Sequence, residues 1–111
     1  MALIVKVYDD NCEICKQMER HDRVIFEEFP DVVYRKAELN DLLDNERDAT
    51  KQVIYQCLER YCLTATYEVD LPTYLFLTDK GKYLGHHTGA ATVVELRNRV
   101  KTLLPSKSED P

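Results

Sequence analysis

The chain has 111 residues, 44% of them hydrophobic and 32% charged, a composition that suits one small folded domain and excludes general disorder. Fifteen Lys and Arg against twenty Asp and Glu give a net charge of −5, which argues against a protein held on nucleic acid by clustered positive charge. No apolar run approaches the ~20 residues of a membrane span. The start, Met1-Ala2-Leu3-Ile4-Val5-Lys6, lacks the basic region, long apolar stretch and cleavage site of a secretory signal, so the expectation is a cytoplasmic protein.

Leu3-Ile4-Val5-Lys6-Val7-Tyr8 is a β-branched run that reads as a buried strand. Asp9-Asp10-Asn11 breaks it, with Asn11 the expected N-cap of a helix opening at Cys12. Ile14, Met18, Ile25 and Phe29, with His21 or Asp22 between, recur at three- and four-residue spacing, and Pro30 closes that helix. Residues 31–37 read as a second strand, which makes a parallel βαβ unit with a right-handed crossover. From Asn45 to about Leu63 the period is again helical, with Ala49, Val53, Ile54, Cys57, Leu58, Tyr61 and Cys62 on one broad face. A loop over 64–70 leads through Leu71-Pro72 to a third strand, 73–77. Asp79-Lys80-Gly81-Lys82 turns it into a hairpin-paired fourth, 83–87. Thr92 and Glu95 form a capping box before Val93, Leu96, Val100, Leu103 and Leu104, the last amphipathic helix. The domain is expected over 1–104, with a frayed polar tail over 105–111.

Four cysteines stand at 12, 15, 57 and 62. A C-x-x-C pair in a reducing compartment points to redox chemistry or to metal. A zinc site built from all four is disfavoured, because Cys57 and Cys62 lie in a helical apolar face and not on a knuckle-like turn. His86 and His87 alternate to opposite faces of a strand and make a poor chelating pair. No metal and no cofactor are expected.

The order β-α-β-α-β-β-α, with Cys12-Glu13-Ile14-Cys15-Lys16 after the first strand, Leu71-Pro72-Thr73 before the third, the Lys80-Gly81 hairpin and Gly89 before the last helix, resembles the thioredoxin superfamily. The resemblance covers about residues 2–104 and implies an α/β fold: a central four-stranded mixed sheet flanked by helices, without the extra N-terminal strand of typical thioredoxins. It also implies a cis peptide between Leu71 and Pro72. The active-site sequence departs from the thioredoxin and glutaredoxin types: Asn11 stands where thioredoxins carry Trp, and Glu13-Ile14 fill the middle. Gly89-Ala90-Ala91-Thr92 replaces the glutathione-binding Gly-Gly and acidic pair of glutaredoxins, which counts against glutathione as substrate.

Dithiol–disulfide exchange needs one sulfur that attacks as a thiolate and a second that resolves the mixed disulfide. A helix N-terminus stabilises a thiolate, so Cys12 is the expected nucleophile and Cys15, one turn deeper, the resolving thiol. Asp9, Asp10 and Glu13 oppose Lys16 and the dipole, which points to a potential on the order of −270 mV. Lys6 falls where thioredoxins place a buried acid that relays a proton. The simplest reading is a side chain that snorkels to the sheet edge, and the alternative buries the ammonium under the active site. Pro72 and the Leu71 backbone are expected to shape the substrate groove, with Tyr8, Ile14, Leu71 and Tyr67 as an apolar rim. On regular helical geometry Cys57 and Cys62 point about 140° apart, which favours free buried thiols over a second, regulatory disulfide. The reading is a monomeric thiol–disulfide oxidoreductase that reduces protein disulfides, with electrons from a reductase or another dithiol donor. The alternative is a thioredoxin-fold binding module whose cysteine pair is regulatory or vestigial.

Overall fold

A strand that carries apolar side chains on both faces has to be covered on both. Leu3–Tyr8 (β1) meets this demand as an inner strand, parallel to Val33–Glu38 (β2) and antiparallel to Thr73–Leu77 (β3). β3 pairs antiparallel with Tyr83–Thr88 (β4), and the sheet order is β2-β1-β3-β4. The computed structural model describes residues 2–45, 47–63 and 68–104; Tyr67 and the tail 105–111 lie outside the described residues.

Side-chain alternation divides the core in two. Ile4, Tyr74 and Phe76 face one side and pack with Met18, Ile25, Leu96 and Val100. The second side joins Val5, Val7, Leu75 and Leu77 to Leu42, Ile54, Cys57, Leu58 and Cys62. The first layer of helix consists of Glu19–Glu28 (α2) and Val93–Leu103 (α5), tied together by Arg97, whose Nε donates to both Glu28 carboxylate oxygens at 2.9 and 2.7 Å. Thr92 and Glu95 close the capping box at the start of α5. The second layer consists of Leu39–Asp44 (α3) and Ala49–Cys57 (α4).

Three elements differ from the sequence expectation. The helix expected from Cys12 to Pro30 is two pieces, Glu13–Gln17 (α1) and α2, with Met18 between them. In an unbroken helix the Cys15 carbonyl accepts from the Glu19 N–H; here it accepts from Lys6 Nζ at 2.7 Å, a side chain inserted into the ladder. The helix expected over 45–63 is preceded by α3, capped by the Glu38 carboxylate, and itself begins after Asp48, whose side chain accepts from the Lys51 N–H. Its end, Leu58–Cys62, is a π turn and not α-helix, so the divergence expected between Cys57 and Cys62 on regular geometry does not apply. Both thiols are free and buried.

Candidate active site

Cys12 and Cys15 form a disulfide immediately beyond the C-terminal end of β1, with Cα atoms 5.2 Å apart. Contrary to the sequence expectation, Asn11 does not cap the helix; its own N–H is turned back to Asp9 Oδ1 at 2.9 Å. The cap is Cys12, whose Sγ accepts from the Cys15 N–H at 3.1 Å. This places the outer sulfur, half-buried, on an amide of the first turn of α1, and the inner cysteine, 3% exposed, within the turn.

Lys6 is not at the sheet edge. It is 1% exposed, and its ammonium donates to the Cys15 carbonyl and to Asp22 Oδ2, the latter at 2.5 Å. The snorkelling expectation fails because β1 is an inner strand: Lys6 is flanked by Lys36 of β2 and Tyr74 of β3, so no edge lies within its reach. Asp22, from α2, is also buried and accepts two further bonds, from Tyr34 Oη at 3.0 Å and Tyr74 Oη at 2.6 Å. Burial, with the Asp22 carboxylate second, raises the Tyr34 hydroxyl well above its ordinary range. Tyr74 is raised in the same way, by burial and then by its bond to Asp22. Both phenols therefore stay protonated and remain donors.

A cavity of about 180 Å³ opens beside this group, lined by Lys6, Tyr8, Cys15, Glu19 and Lys36 among others. Tyr8 thus lines the same cavity as Cys15, with Lys36 Nζ 5.0 Å from its ring centre. Of the expected rim, Ile14 is exposed, whereas Leu71 is half-buried and packs against the opposite face of the sheet from Tyr8. Asp10 is exposed, and Glu13 and Lys16 stand out in solvent with their charged groups 3.8 Å apart. Water and salt screen such charges, so their hold on the cysteines is weak.

Pro72 lies at the same end of the sheet, since Thr73 is paired with Val7 near the end of β1. The Leu71–Pro72 peptide is cis. The segment is tied on both sides: Thr73 Oγ1 donates to the Asp70 carbonyl, and the Gly89 N–H donates to the Pro72 carbonyl at 2.8 Å. Gly89 has φ +83°, a conformation that disfavours any side chain.

Sequence reasoning missed Asp22, Tyr34 and Tyr74 as site residues. For Asp22 the signal existed: it occupies the apolar stripe between Met18 and Ile25, where a carboxylate needs a buried partner. The tyrosines read only as strand residues.

No protein-family model matches the sequence, and no curated protein matches it. Solved structures do match the fold. Mitochondrial thioredoxin 3 from Saccharomyces cerevisiae superposes with a TM-score of 0.65 at 22% identity, over 92% of this chain and 78% of that one. A thioredoxin from Nicotiana alata gives 0.66 at 22% identity, over 92% and 72%. Thioredoxin from Trypanosoma brucei brucei gives 0.64 at 24%, over 94% and 75%. The strand order, the position of the disulfide after the first strand and these superpositions lead to one conclusion: the chain has the thioredoxin-like α/β fold.

Proposed function

We propose that the protein is a thiol–disulfide oxidoreductase that reduces disulfides in other proteins. The observation that carries this reading is the Cys15 N–H aimed at Cys12 Sγ. A donor held there stabilises the thiolate that forms when the pair is reduced, and the outer sulfur is the one a substrate reaches. Cys12 attacks the substrate disulfide, forms a mixed disulfide and releases one substrate thiolate. Cys15 then attacks Cys12, the bond to the substrate breaks, and the second substrate thiolate leaves; the substrate is reduced by two electrons and the pair is oxidised. The half-buried Leu71 and the tied Pro72 segment support a role in receiving an extended substrate chain. Electrons return from a reductase or another dithiol.

Reduction of insulin by dithiothreitol tests the reading. The protein accelerates it, Cys12→Ser abolishes the acceleration, and Cys15→Ser accumulates a mixed disulfide visible by mass. A wild-type protein that gives no acceleration favours the binding-module alternative.

A further inference from the structure

The disulfide chemistry uses Cys12 and Cys15, yet the most elaborate polar arrangement in the core lies beneath them and is assigned no role by that chemistry. Three donors converge on one buried carboxylate: Lys6 Nζ on Asp22 Oδ2, Tyr34 Oη on the same oxygen and Tyr74 Oη on Oδ1. Lys6 Nζ spends another hydrogen on the Cys15 carbonyl. Both charges are removed from solvent, and each has lost its hydration, a cost that packed apolar side chains would avoid. An arrangement of that cost, placed against the backbone of the resolving cysteine, calls for a task.

We propose that Asp22 is a positioning residue for thiol exchange: with Tyr34 and Tyr74 it holds the Lys6 ammonium fixed under Cys15, and so favours the resolving thiolate. The inference rests on the oxidoreductase reading and deepens it. In the resolving step the Cys15 thiol gives its proton to solvent through the adjoining cavity. Its electron pair forms the bond to Cys12 Sγ, and the substrate sulfur departs as a thiolate. Asp22 touches no reacting atom; it acts through Lys6. An ammonium without this counter-charge turns into the cavity toward Glu19, and the positive charge under Cys15 is gone.

The other charged and titratable groups about this ammonium and Cys15 are Glu19 of α2, Lys16 of α1 and Lys36 of β2. The end of β1 adds Tyr8, Asp9 and Asp10. Glu19 and Lys36 are exposed and paired with each other at 3.4 Å, and Glu13 meets Lys16 in solvent. Among the described residues Lys6 is the cation that the interior holds in place.

The test is a stopped-flow reaction of the reduced protein with an aromatic nitrobenzoate disulfide, followed from pH 5 to 9. Attack by Cys12 releases one coloured thiolate and resolution by Cys15 releases a second, so the two steps are read separately. In Lys6→Met the pH midpoint of the second release moves up. For each unit the thiolate population at neutral pH falls tenfold while the more basic sulfur regains about threefold in nucleophilicity, a net loss of about threefold. Asp22→Asn moves the second release in the same direction and leaves the first unchanged. The double variant Lys6→Met with Asp22→Leu, which removes both charges together and avoids an orphaned buried ion, also moves the second release up from wild type, and no further than Lys6→Met alone. The proposal is overturned if Asp22→Asn leaves the second midpoint in place or lowers it. It is equally overturned if replacing Asp22 moves the midpoint further up once Lys6 is absent. A wild-type protein that gives no first release takes down the oxidoreductase reading itself, and this inference with it.

Discussion

Cys62 is buried against Leu58, Leu75 and the neighbouring Cys57, and that environment pushes its thiol up from 9.0 to about 11, through burial first and the Cys57 sulfur second. Cys57 is raised by burial as well. An unfolded chain sheds the Cys62 proton near its ordinary value, while the folded chain retains it to higher pH. The stabilisation is therefore complete below about pH 9 and is lost as pH rises from 9 through 11. Melting followed by circular dichroism shows this as a fall of roughly 1–2 kcal/mol across that window, and Cys62→Ala flattens the slope. The same burial explains why the sequence could place these thiols in the core but not define their geometry. A π turn carries no residue signature, because it is set by how the end of α4 meets the sheet. Lys6 shows the complementary case. Its spacing from Cys12 marked the position, but whether the ammonium was free or paired depended on Asp22, which comes from another element.

At the level of elements, the sheet was largely legible and the helix breaks were not. Thr73–Leu77 and the Thr92–Glu95 cap follow directly from a run of apolar strand formers and from a local side-chain bond. α3 was missed although Leu39, Leu42 and Leu43 have helical spacing, because its cap is a Glu at the end of a strand. The break at Met18 was not legible at all, since its cause is a lysine from β1. Packing of α5 on the sheet depends on a gap left by Gly85: a Cβ there would stand 2.6 Å from Leu103 Cδ1. Gly85→Val is expected to cost about 1–3 kcal/mol by overpacking, measured by urea denaturation. Trimming the neighbour with Leu103→Ala in the same chain recovers part of that loss.

Across the whole molecule, each cysteine pair belongs to its own side of the sheet, and the strands between them are the best-covered part of the chain. β1 and β3 carry Val5, Val7, Leu75 and Leu77, all at or near zero exposure, whereas β2 and β4 form the edges. Native-state hydrogen exchange is therefore expected to protect the amides of β1 and β3 up to the free energy of global unfolding, and those of β2 and β4 less. Equal protection in all four strands would contradict a sheet with this order of cover. The likeness to thioredoxins at 22–24% identity belongs to this scale too: it is a likeness of fold along more than nine-tenths of the chain.

The sulfur at position 12 has a second occupation, as the atom that closes the first turn of α1. Serine carries an oxygen able to receive the same amide hydrogen, and alanine carries nothing. Cys12→Ser and Cys12→Ala are thus expected to be equally inert toward disulfides yet to differ in unfolding free energy by about 1 kcal/mol, the serine form being the sturdier. One codon, changed in two ways, separates what the atom does for the reaction from what it does for the architecture.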